Sequence, residues 1–235
     1  MHKGFVLVGV AVLGIMFVTT SSTSNGSVVG HMLRKWRYRF EAGIGEIFGK
    51  NKVEILVQKE NAEKHSLRIW PIGDSITEGM DGNYSYRSNL NQLFKEHNVE
   101  VTFVGTKSGG FEGNQFGPND RHDGYSGYRA EDVAYLVKKE IHKVEFDVAL
   151  IHLGTNDLAY GESPKEIASD INGLIETLRE RNPKVQIVLA EVIPAAYSVD
   201  PFIGLNKELR LFAEKVSTEL SPVIIVDQFL SLIHI

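Results

Sequence analysis

From residue 67 to residue 227, short apolar runs alternate with stretches whose apolar residues recur at helical spacing. A strand is expected to end at Ile72, after Ile69-Trp70-Pro71. Residues 86–97 follow as a helix with Leu90, Leu93 and Phe94 on one side, and residues 99–104 alternate as a second strand. Residues 129–143 carry Val133, Leu136, Val137 and Ile141 at helical spacing, and residues 148–153 are apolar except for His152, as in a strand buried on both faces. The next helix has a written start. Ser163-Pro164-Lys165-Glu166 is a capping box with proline at the first helical position, and Ile167, Ile171, Leu174, Ile175 and Leu178 form the stripe behind it. Residues 185–192 give another strand, Leu205, Leu209, Phe212, Ala213, Val216 and Leu220 stripe a last helix, and residues 223–226 close the series. Strand and helix in alternation predict an α/β fold, a mostly parallel sheet covered on both faces.

The polar residues that interrupt this pattern sit just past strand ends or in the loop region on that side. Gly73-Asp74-Ser75-Ile76-Thr77-Glu78-Gly79 follows the first run and exposes one serine; the same residues also read as a turn that caps a helix. Asp123-Gly124-Tyr125-Ser126-Gly127-Tyr128 lies ahead of the third run, and Gly154-Thr155-Asn156-Asp157 follows it directly. Open α/β sheets bind ligands at the carboxyl ends of their strands, so these segments are expected to gather at one edge.

Three such blocks in this order resemble the SGNH hydrolases, the superfamily of GDSL-type esterases and lipases. The wording of the blocks, with Tyr86-Arg87-Ser88-Asn89-Leu90, Val101-Thr102-Phe103-Val104-Gly105-Thr106 and residues 122–129 and 153–158, is most similar to carbohydrate esterase family three, whose members deacetylate xylan-type polysaccharides. The resemblance implies a flavodoxin-like three-layer α/β/α sandwich around a five-stranded sheet. It also implies Ser75 as nucleophile, with Gly127 and Asn156 joining the serine's own N–H in binding the oxyanion. Those residue types suit the task. Acyl transfer passes through a tetrahedral oxyanion that fixed donors stabilise; glycine brings a backbone N–H close, and asparagine supplies a neutral one. The G-x-S-x-G elbow of α/β-hydrolases is absent around Ser75.

The family's fourth block, Asp-x-x-His, does not occur after Asn156. His234 stands near the end in Leu230-Ser231-Leu232-Ile233-His234-Ile235, with Ser231 at the aspartate's place, and reads as a chance histidine on an apolar tail rather than a surrogate base. The hydrolase domain, residues 67–235, is therefore expected to be incomplete, with its base and the base's Asp partner supplied from further on; the other readings are a lipid acyl hydrolase of the same superfamily and a catalytically dead glycan-binding module.

Other polar residues have structural readings. His152, inside the third long strand, is expected to be a satisfied core histidine, and His122 with Asp123 a solvated loop pair that lacks the third ligand of a metal site. Asp74 is expected to order its own turn, and Asp157 to do the same beside Asn156. Glu191 ends its strand facing the ligand side or a neighbouring loop.

Composition narrows the partners. Lys and Arg number 25 against 30 Asp and Glu, a net charge of −5, which argues against a polyanionic partner such as nucleic acid. With no cysteine, disulfides and thiolate metal sites are excluded. No Walker-type or dinucleotide-type glycine pattern follows the first strand, so no cofactor is expected, and the chain is read as a monomer acting on an acyl ester. Residues 1–24 pair a short basic start with an apolar run over residues 4–18 and a small polar stretch, which suits a secretory signal peptide, with a retained signal-anchor as the other reading. Residues 25–66, including Trp36-Arg37-Tyr38-Arg39, read as a linker or N-terminal arm.

Overall fold

The computed structural model describes residues 66–79, 85–110, 119–193 and 199–227. The apolar run ending at the first polar turn forms β1 (Leu67–Gly73), followed by the one-turn helix α1 (Ser75–Glu78) and by α2 (Tyr86–Glu96). Next come β2 (Val101–Phe103), the two-residue strand β3 (Asp123–Gly124) and α3 (Ala130–Glu140), which tightens into a 3-10 turn at Ile141–Lys143. Then β4 (Val148–His152), α4 (Thr155–Ala159), α5 (Pro164–Arg181), β5 (Gln186–Ala190), α6 (Asp200–Val216) and β6 (Val223–Val226) complete the described chain.

Every strand pairing is parallel, in the order β2-β1-β4-β5-β6. β1 shares one edge between two partners: Leu67 to Ile69 pair with β2, and Ile72 and Gly73 pair with β3. Sequence pattern gave five strands and missed β3, because two residues carry no periodicity. β1 and β4 are central, and the chain reverses its direction of travel across the sheet between them, which opens a crevice at their carboxyl ends.

Alternation along the strands sorts the core into two layers. Trp70, Ile72, Ala149, Ile151, Ile187 and Leu189 face α3, α5 and α6, whose Val133, Val137, Ile171, Leu174, Leu178, Leu205 and Leu209 are buried against them. Ile69, Val148, Leu150, Val188 and Ala190 face the other way, with Tyr86, Leu90 and Phe94 of α2 on that side. The three-layer α/β/α arrangement is thus present.

Boundaries follow local chemistry. The Ser163 box closes as read: Ser163 Oγ accepts from Glu166 N–H at 3.4 Å, and Glu166 accepts from Ser163 N–H at 2.9 Å. β2 is shorter than expected because Asn98 turns the chain at φ 56° and Val99 N–H donates back to Phe94. α6 stops at Val216, before the last residue of its apparent stripe. Ser217 is extended and the residue ahead of Pro222 is steered away from helical geometry, so Leu220 is exposed rather than packed. No helix among the described residues is long and apolar enough to cross a membrane. The apolar run over residues 4–18, the arm over residues 25–65 and His234 lie outside the described residues.

Candidate active site

Ser75 is the first residue of α1, immediately beyond the carboxyl end of β1, and is partly exposed. Asp74 holds that turn. It is fully buried and accepts the Ile76 N–H at 2.9 Å, the turn-ordering role expected of it, and burial pushes its carboxyl up to about 6. Both readings of the segment therefore apply together: Asp74 caps a helix, and the cap leaves the next residue, Ser75, facing outward.

The second block is laced to the first. Tyr125 N–H donates to the Gly73 carbonyl at 2.9 Å, continuing the β1–β3 pairing, and β3 lies directly against α1. Gly124 permits that approach: a Cβ there would sit 2.4 Å from Glu78 N and 2.9 Å from its Cα, both backbone atoms that cannot swing aside. Gly124→Ala is accordingly expected to lower stability by about 1–3 kcal/mol, the ordinary cost of overpacking. A lower urea midpoint at unchanged m would show it; an unchanged midpoint would mean that β3 is not pressed against α1.

Gly127 is exposed at φ 80°, a left-handed conformation that suits glycine, and apart from its chain neighbours no atom of the described residues lies within 4 Å of where its Cβ would be. Asn156, on α4, donates through Nδ2 to the Tyr128 carbonyl at 2.8 Å, so the third block is tied to the second. One N–H of the Asn156 amide is spent on orientation and the other is left to bind a ligand. The three site residues read from sequence, Ser75, Gly127 and Asn156, all lie past strand ends on the same edge of the sheet.

Asp157 does something different from its neighbour and from its expected role. Fully buried, it accepts the Ala130 N–H at 2.8 Å across the site, fixing the start of α3, and burial raises its carboxyl to about 6. Asp157, Glu162 and Asp170 bring one carboxylate oxygen each within 4.8 Å of one another, a donor set suited to a hard cation, although Arg129 already pairs with Glu162 at 2.6 Å.

The solvated reading of His122 and Asp123 is overturned, since both are fully buried. Asp123 accepts from Trp70 Nε1 at 2.6 Å, from Thr106 N–H at 2.8 Å, from the Thr106 hydroxyl and from Tyr125 OH at 2.8 Å, which spends its acceptor capacity inside the protein. His122 Nδ1 accepts from Gly124 N–H at 2.9 Å, and burial lowers the ring to about 2, keeping it neutral. His152 is buried as expected but not satisfied: neither ring nitrogen has a hydrogen-bond partner among the described residues, and burial lowers it to about 4. Glu191 turns to a neighbouring element, where it is fully buried and ion-paired with Arg210 of α6.

Arg87 went unread. Buried on α2, it donates to the carbonyls of Thr77 at 3.0 Å, Glu78 at 3.1 Å, Gly109 at 2.7 Å and Asp120, and to Ser85 Oγ at 3.2 Å. It therefore gathers α1 and the loops between β2 and β3 into one body. A signal existed in the sequence, because Arg87 falls on the same stripe as Leu90 and Phe94, where a charge must have partners.

A serine, an exposed glycine and an oriented asparagine amide on one sheet edge are, apart from a general base, groups that suit serine-dependent acyl transfer. The chain belongs to the GDSL-like lipase/acylhydrolase family, whose model matches residues 72–227. It is similar to a multidomain esterase of Ruminococcus flavefaciens, 28% identical over 148 residues that span 55% of this chain and 19% of that much longer protein. Among solved structures it resembles a carbohydrate esterase family 3 protein of Talaromyces cellulolyticus (24% identity, TM-score 0.63, 71% of this chain and 81% of that one). A second is a family 3 carbohydrate esterase of Clostridium thermocellum (24%, TM-score 0.59, 69% and 78%). A third is an acetyl esterase whose crystal structure holds acetate (23%, TM-score 0.63, 71% and 81%). At these identities the likeness is one of fold.

Proposed function

We propose that this chain is the catalytic domain of a secreted serine esterase that removes acetyl groups from a polysaccharide such as xylan. The observation that carries the reading is the joining of Ser75, Gly127 and Asn156 at the carboxyl edge of the sheet through the Tyr125–Gly73 and Asn156–Tyr128 hydrogen bonds. Ser75 Oγ attacks the acetyl carbonyl while its proton passes to a general base. The oxyanion is held by the N–H groups of Ser75 and Gly127 and by Asn156 Nδ2, and its collapse expels the sugar hydroxyl and leaves an acetyl-enzyme that water hydrolyses.

None of the four histidines among the described residues suits the base. His122 and His152 are fully buried, and His97 and His142 follow the C-terminal ends of α2 and α3, which run back to the opposite edge of the sheet. The base is proposed to be a histidine reached by the chain after β6, the strand whose carboxyl end opens on the same edge as Ser75. Covalent labelling by a fluorophosphonate tests the nucleophile: the full-length protein should be labelled at Ser75, and equal labelling of Ser75→Ala would remove that residue from the mechanism.

Polysaccharide is favoured by the rim. Tyr128, next to Gly127, is 45% exposed, and Tyr160, at the end of α4, is 73% exposed, so two aromatic rings stand where a sugar chain can lie against them. The sequence between Gly79 and Asp227 carries no extended apolar segment suited to a long acyl chain, and acetyl esters are expected to be hydrolysed with higher kcat/KM than palmitoyl esters. The reverse order on matched p-nitrophenyl esters would turn the substrate reading from carbohydrate acetate to lipid.

A further inference from the structure

Gly127 raises a physical question, because it is exposed and, its chain neighbours aside, no atom of the described residues would touch a Cβ placed there. An oxyanion donor is useful only if it is fixed before the charge develops. Its position must then be set by the residues on either side.

Glu78 and Lys107 grip those residues. Glu78 closes α1, three residues beyond Ser75, and is 7% exposed. Its Oε2 accepts the N–H of Ser126 at 2.8 Å, the amide immediately preceding that of Gly127. Its Oε1 is ion-paired with Lys107 Nζ, which also donates to the Gly124 carbonyl at 2.7 Å and lies 4.6 Å from the centre of the Tyr125 ring. Three consecutive residues, Gly124, Tyr125 and Ser126, are thus held by one carboxylate and one ammonium. The lysine also answers an electrostatic objection. A lone carboxylate so close to a developing oxyanion would repel it, whereas the paired group carries no net charge.

We propose that Glu78, paired with Lys107, is a positioning residue for the oxyanion hole, clamping the Ser126-Gly127 turn to the helix that carries Ser75. The inference rests on the assignment of the Gly127 amide as an oxyanion donor. Burial opposes the charged form of Glu78, but the Lys107 ion pair and the bonds from Ser126 outweigh it and hold the carboxyl below its ordinary range, so the clamp is ionised at neutral pH.

The test is steady-state kinetics on an acetyl ester with the full-length protein and four variants: Glu78→Ala, Glu78→Gln, Lys107→Met and Asn156→Ala. Misplacement of a donor affects the transition state more than substrate binding, so Glu78→Ala should lower kcat about tenfold to a hundredfold with KM within about twofold. Glu78→Gln keeps an acceptor for the Ser126 N–H and should recover most of that loss. Lys107→Met leaves the carboxylate unpaired beside the oxyanion and should fall with Glu78→Ala. Wild-type kcat in Glu78→Ala, alongside a large loss in Asn156→Ala, would overturn the clamp and leave the oxyanion assignment standing. No loss in either variant would bring down both. A Glu78→Gln protein that folds as the wild type does yet is as slow as Glu78→Ala would also overturn the clamp, since the acceptor would then not be what matters.

Discussion

Replacing Ser75 by alanine is expected to lower kcat on acetyl esters about a millionfold in the active full-length protein, the scale seen when a hydrolase loses a nucleophile that works as a unit with its base. The substitution removes one oxygen from a partly exposed position at the head of α1 and leaves the Asp74 bond to Ile76 N–H in place, so the fold should be unaffected. KM should change little, because the lost oxygen takes part in bond making rather than in holding the sugar. Circular dichroism and urea unfolding that match the wild type, with turnover reduced to the residual level that the oxyanion hole and binding still support, about a thousandfold to ten-thousandfold over water, would be the confirming combination. Retention of a tenth of the activity would place the nucleophile elsewhere.

Asn156→Ala should be the next most damaging substitution, costing about a hundredfold to a thousandfold in kcat, as expected when one preorganised oxyanion donor is lost. The side chain acts in two ways, offering an N–H to the oxyanion while tying α4 to the Tyr128 carbonyl at 2.8 Å. Asn156→Asp separates a donor from a mere spacer. It keeps the size but faces the Tyr128 carbonyl and the oxyanion with a negative acceptor, so it should be at least as slow as the alanine variant. An aspartate variant close to wild-type rate would exclude Asn156 as a donor.

These expectations draw on information that was readable to different depths. Ile167, Ile171, Leu174 and Leu178 announced α5 and the Ser163 box announced its start, since helical spacing and capping involve residues at most a few positions apart. The fully buried β4, apolar but for His152, was equally plain, because a central parallel strand has no solvent face. Ser75, Gly127 and Asn156 could be picked out because the three polar blocks that hold them resemble, in wording and order, those of the SGNH hydrolases. By contrast, His122 and Asp123 looked like solvated loop residues, and only the fold showed that Trp70, Thr106 and Tyr125 converge on Asp123.

By itself the sequence determined the strand–helix alternation and the apolar stripe of each helix, consequences of local periodicity and turn chemistry, while its polar blocks carried the family resemblance that named the site residues. The tertiary structure decided what lies between residues distant along the chain. It made a strand of Asp123–Gly124 because the upper edge of β1 was free to pair with it, gave the buried Arg87 its carbonyl partners, and set Glu78 against Ser126, 48 positions away. Such contacts leave no period in the sequence. They form only because burying the sheet's two faces brings the ends of its strands together, and buried charges and unpaired backbone groups then have to find one another.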